Sequence, residues 1–181
     1  MASFDQIVLI IPMLALAASI TYYAMVLKNQ NKTRQTQMFM QLFQSRVDKE
    51  NSQDLWELMA MVWKDDDDFV QQYSANNNPE HAAIRIANWN IYDSLGVLTR
   101  EKMVDIDIVY RMLGRRVIMM WFKFDTAIKY SRVSPMGPGA GYMEDMEWLS
   151  GEMIRIAKQK GHALPVRNIH PTSELYQEYN P

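Results

Sequence analysis

The chain of 181 residues has no cysteine. That excludes disulfides, thiolate zinc, iron–sulfur ligation and cysteine nucleophiles in one step. Glycine and proline are sparse, seven of each, which excludes collagen-like and low-complexity chains. A basic excess is missing too. Lys and Arg number 19 against 21 Asp and Glu, so the cationic field expected of a nucleic-acid binder is absent. Strand-like alternation is nowhere sustained, and helical periodicity dominates, which predicts an all-α protein.

What the sequence does have is one long uncharged run, Ile7 to Leu27, broken in polarity only by Pro12, Ser19 and Thr21. Its 21 residues would rise about 31 Å as a helix, the thickness of a bilayer core. Tyr22 and Tyr23 suit an interfacial aromatic belt. A signal peptide would carry a basic segment ahead of the run, where only Asp5 is charged. A buried core helix of this length would show one polar face. The run therefore reads as a transmembrane anchor, residues 1–27. Lys28, Lys32 and Arg34 follow it and nothing basic precedes it, which places the N-terminus outside and the remainder in the cytoplasm. Ala15, Ala18, Ser19 and Tyr22 are the candidates for packing against other membrane helices.

Residues 28–47 are expected to carry the membrane helix onward as an amphipathic stretch with the stripe Met38, Phe39, Leu42, Phe43 and Val47. A helical cytoplasmic domain, 48–161, follows. Ser52 is placed to cap a helix with Leu55, Leu58, Met59, Val62 and Trp63 inward, ending at the run Asp65–Asp68. Pro79 starts a helix with Ile84, Ala87, Ile91 and Leu95 on its core face, and Gly96 reads as its C-terminal stop. Thr99 and Asp107 read as caps of two short helices ending near Gly114. A long helix, 115–133, would bury Val117, Met120, Trp121, Phe124 and Ile128. The Gly- and Pro-dense loop Ser134–Gly141 separates it from a last helix with Met146, Leu149, Met153 and Ile156 inward. The tail, 162–181, holds Pro165, Pro171 and Pro181 and reads as extended.

Each candidate for chemistry has a plainer reading beside it. The fifteen methionines include two Met-x-Met pairs, Met38/Met40 and Met59/Met61, a spacing soft Cu(I) uses. On a helix, residues two apart point about 200° apart, so core filling is preferred. Asp65–Asp68 lacks the alternation, glycine and distant Glu of a calcium loop. His81, His162 and His170 have no local ligand pair. The GPGAG segment before Tyr142 follows no strand and precedes Glu144 and Asp145, which would repel phosphate. A helix-turn-helix reading would use Arg111, Arg115 and Arg116, but its recognition helix is crowded with Met, Trp and Phe. Arg115 and Arg116 are better placed to face acidic lipid or an acidic partner. No nucleophile has a base nearby in sequence, so no catalytic, cofactor or metal residue is assigned.

The pattern Leu95-Gly96-Val97-Leu98, Asp107-Ile108-Val109-Tyr110 with Leu113-Gly114, Val117 and Trp121, then Tyr142 and Glu147-Trp148-Leu149 resembles domain of unknown function 4760, found in bacterial and archaeal proteins. The GPGAG loop and the Pro-containing tail depart from that pattern. The resemblance implies a single-pass protein with a small helical cytoplasmic domain and carries no assigned reaction. The expected function is a membrane-anchored interaction protein without its own catalytic centre. Its partners would be the lipid bilayer and other membrane subunits or a second copy, with contacts through Met38, Phe39, Leu42, Phe43, Arg115 and Arg116. The alternative is an accessory subunit of a larger membrane complex such as an oxidase or monooxygenase. A further alternative is an enzyme or sensor using the 134–141 loop as a lid.

Overall fold

The computed structural model describes residues 4–44, 49–135 and 137–179, with side chains from residue 12 onward except 38, 42, 49–51 and 177. Among the described residues all regular structure is helical. The chain divides into two compact units, residues 1–43 and 44–181.

The first unit is built on one helix, α1, Phe4–Gln44. It starts three residues ahead of the apolar run, so Pro12 is its ninth residue, inside the helix. Pro12 has no N–H to give the carbonyl of Val8. Ser19 and Thr21 turn their hydroxyls back to the carbonyls of Ala15 and Ala17, both at 2.8 Å. Among the described residues no helix is long and apolar enough to cross a membrane. Residues 7–11, the opening of the expected anchor, lie outside the residues whose side chains are described.

The second unit is a bundle of α2 (Lys49–Ala60), α3 (Asp66–Tyr73), α4 (Pro79–Arg100), α5 (Ile106–Val133), α6 (Glu144–Gln159), a short 3-10 turn at Val166–Asn168 and α7 (Glu174–Tyr179). Its core lies where α6 packs on α4 and α5. Val117, Met120, Trp121, Phe124 and Ile128 of α5 are buried, as are Met146, Leu149, Met153 and Ile156 of α6. Both sets are the faces that the 3–4 spacing predicts.

Several local expectations are corrected. Ser52 sits inside α2, which ends at Ala60, short of Trp63. The four aspartates begin a helix instead of ending one: Asp65 is the N-cap of α3, accepting from the Asp68 N–H at 3.0 Å. Asp66, Asp67 and Asp68 then fill its first turn, where the helix dipole favours negative charge. Gly96 does not stop α4. A Cβ there would lie 2.2 Å from the Asp145 carbonyl oxygen, so this glycine lets α6 approach the α4 backbone. Thr99 is interior to α4 and bonds the Leu95 carbonyl at 2.7 Å. The first expected short helix is absent, its residues being the end of α4 and the turn 101–105, while the second and the long one are a single α5, capped by Asp105 rather than Asp107 and running through Gly114.

The buried face of α4 coincides with the predicted one only at Leu95, with Ile84 and Ile91 half-buried. Ala82, Arg85, Trp89, Tyr92, Leu95, Gly96 and Thr99 are inward, and Ala87 is exposed. Nor is the tail extended: it forms the 3-10 turn and α7, and buries Ile169, His170 and Ser173.

Candidate functional site

Three polar arrangements stand out in the bundle. The first is a cleft of about 650 Å³ where the first half of α5 meets the C-terminal end of α6, lined by Tyr110, Arg111, Arg115, Ile118, His162 and Pro165 among others. Arg111, Arg115 and Ile118 follow one another at intervals of four and three, which puts them on one face of α5. The Tyr110 hydroxyl and His162 Nδ1 share a hydrogen bond of 2.7 Å. Lys160 Nζ lies 4.8 Å over the Tyr110 ring and 3.6 Å from Asp107. The last carbonyls of α6 are already used: Ile156, Ala157 and Lys158 accept from the N–H groups of Lys160, His162 and Gly161. Gly161, at φ 66°, supplies the left-handed turn that swings His162 back toward α5.

The second arrangement ties the tail to the core. The His170 ring stacks on Trp63 at 4.4 Å, with Nε2 3.0 Å from the Trp63 carbonyl oxygen and Nδ1 2.7 Å from Thr172 Oγ1. Trp63 in turn stacks on Phe124 at 5.5 Å. Lys123 donates to the Met61 carbonyl and lies 5.0 Å over Trp63, and burial lowers its pKa. Ser173 donates to Asp125 Oδ2 at 2.6 Å, and Lys129 lies 3.6 Å from the same oxygen. Asp125 is wholly buried. Desolvation raises its pKa against the opposing pull of Ser173 and Lys129. Ser173 bonds the carboxylate directly and both His170 nitrogens point elsewhere, so this is a latch and not a serine–imidazole relay.

The third is Arg85, buried on α4. Its guanidinium lies 4.7 Å from the Phe69 ring centre and 5.1 Å from that of Trp89, and Nη1 donates to the Tyr73 carbonyl at 2.8 Å. Burial lowers its pKa to about 10. Stacking on two rings offsets part of that desolvation.

The residues singled out from the sequence are scattered. Arg115 lines the first cleft, whereas Arg116 is not among its lining residues. In the α1 stripe, Phe39 is 1% exposed and Phe43 half-buried, their rings stacked at 6.0 Å. The side chains of Met38, Leu42 and Val47 lie outside the described residues. Ala15, Ala18, Ser19 and Tyr22 are all exposed. Asp65–Asp68 serves as a cap, and among the described residues no group of three or more His, Cys, Asp or Glu is placed to hold a metal. Sequence reasoning missed Arg85, Asp125 and Ser173. For Asp125 a signal existed, because it falls on the face of α5 that the apolar spacing turns inward.

Fold and sites together define a class, a small all-α domain that follows one long N-terminal helix. The chain belongs to the family described as Domain of unknown function (DUF4760), whose profile matches residues 9–153. Comparison with curated proteins and with solved structures returns no match. Tyr110, Arg111 and Arg115 fall within the family region, while His162 and the whole tail latch partner Ser173 lie beyond it.

Proposed function

We propose that this chain is a membrane-tethered helical interaction protein without a catalytic centre of its own. Residues 7–27 form its single membrane pass, with the N-terminus outside and the bundle in the cytoplasm. The observation that carries the reading is the outward display of apolar side chains on α1. Met13, Leu16, Ile20 and Met25 are each more than 60% exposed, and no charge falls between Ile7 and Leu27. In water such a band calls for cover; in lipid it is at home. The hydroxyls of Ser19 and Thr21 are bonded within their own helix, which spares the bilayer any unsatisfied donor. Lys28, Lys32 and Arg34 close the band on the cytoplasmic side.

Alkaline carbonate extraction of native membranes tests the anchor, and release of the chain into the supernatant would overturn it. The absence of cysteine makes topology directly measurable: Ser3→Cys should label from outside and Ser52→Cys only after permeabilisation. Native electrophoresis with cross-linking in mild detergent then separates two modes of assembly. Migration with one defined set of membrane proteins marks an accessory subunit of a larger complex. Migration alone or as a homo-oligomer marks a partner that binds and leaves.

A further inference from the structure

We infer that the cleft between α5 and the end of α6 binds a phosphomonoester group, with Arg111 and Arg115 as its ligands. The inference rests on the second unit alone and does not depend on the membrane reading.

Arg111 and Arg115 are four residues apart on α5 and both line the cleft. Like charges at that spacing repel. Among the described residues Arg111 commits only its Nε, to the Asp107 carbonyl at 3.2 Å, and makes no ion pair. Arg115 is exposed and, among the described residues, has no hydrogen bond or ion pair. Two arginines on one helix face that line the same cleft offer a receptor for a compact anion, whose oxygens would accept their uncommitted N–H groups and offset the repulsion.

The neighbouring groups fit the same occupant. Asp107, the nearest acid along the helix, is already opposed by Lys160 at 3.6 Å. His162 shares its Nδ1 with the Tyr110 hydroxyl; in the tautomer whose Nδ1 accepts from that hydroxyl, Nε2 carries the ring proton and is a further donor. Tyr110, Ile118, Ala157 and Pro165 add apolar wall. A volume of about 650 Å³ lies within the range of small-molecule sites, so it holds more than a bare phosphate. The ligand is therefore a phosphomonoester with an apolar or aromatic body. A soluble phosphate compound and an acidic lipid headgroup both meet that description.

The test uses the full chain in mild detergent, titrated separately with phenyl phosphate, dihexanoyl phosphatidic acid and dihexanoyl phosphatidylcholine. Heat of binding and the His162 imidazole resonances are followed. Saturable binding of phenyl phosphate or of phosphatidic acid, with a shift at His162, is expected. Phenyl phosphate alone identifies a soluble ligand, phosphatidic acid alone a lipid headgroup, and both together a site that reads only the phosphate. Arg111→Gln and Arg115→Gln should each weaken binding about tenfold. Arg100→Gln, on an arginine engaged by Asp145 at 2.8 Å, should leave it unchanged, and circular dichroism checks that all three fold. Equal response to phosphatidylcholine, no saturation by ~10 mM, or wild-type affinity in both cleft variants would overturn the site.

Discussion

Leu14, Leu16 and Ile20 of α1 and Leu149, Met153 and Ile156 of α6 are similar side chains on the same kind of backbone, yet the first set faces outward and the second is shut away. The difference lies in what shares the helix. In α6 Met146, Leu149, Met153 and Ile156 keep to one buried stripe while Glu147, Glu152, Arg155 and Lys158 lie around the rest, so the helix has a side for protein and a side for water. In residues 13–27 no charged side exists. A helix that is apolar all round cannot satisfy itself by packing on one neighbour. The comparison teaches that total hydrophobicity does not decide whether a helix is shut into this core, but its distribution around the axis does.

The largest expected effect tests that contrast directly. Phe124→Ala empties a fully buried position between Trp63 and Trp89 and should cost about 3–5 kcal/mol of bundle stability. Leu16→Ala should leave the bundle's urea transition where it was, because Leu16 is exposed. Equal shifts in both variants would break the comparison.

A middle-sized effect is expected at Gly96. Any Cβ there meets backbone of Asp145, which cannot swing aside as a side chain would. Gly96→Ala should therefore force α4 from α6 and destabilise the bundle by about 1–3 kcal/mol, read as a lowered urea midpoint. A helix-propensity gain alone would raise the midpoint instead.

The smallest effect concerns the tail latch. Ser173→Ala removes the donor to Asp125 and should cost about 1–2 kcal/mol, the usual range for a buried polar group left short of a partner. The same site has a pH signature. The folded pKa of Asp125 is raised by desolvation, so the folded state holds the proton more tightly than the unfolded chain does. Its contribution is complete below the unfolded carboxylate value of 3.8 and is lost as pH rises through the raised folded value. Asp125→Asn should flatten that slope in a series of urea melts across the acid range.

Helix identity was legible in the sequence wherever apolar spacing and local chemistry agreed. The inward faces of α5 and α6 follow from periodicity, and Pro79 opens α4 where its ring is tolerated. Reading failed where a residue's usual local role was overridden at a distance. Gly96 looks like a helix stop because nothing in its neighbourhood reveals that Asp145 will arrive against it. The aspartate run resembles a solvated helix end because a cap shows itself only through the N–H it accepts from. On α4 the more apolar stripe, with Ile84 and Ala87, is not the buried one. The face that turns inward carries Arg85, made tolerable by Phe69 and Trp89.

The candidate cleft was half legible. Arg115 was singled out for its charge, but its pairing with Arg111, Tyr110 and His162 depends on Gly161 bending the chain back across 52 residues of separation between Tyr110 and His162. By itself, the sequence determined that the protein is helical, which α5 and α6 faces are buried, and that one stretch near the N-terminus has no charged side, because those properties are set by neighbours within a few turns. Only the tertiary structure decided that a glycine is a contact, that an arginine is core, that the tail is latched and that two arginines open on a shared cleft. Each of those depends on a group brought from far along the chain, and no local pattern encodes its arrival.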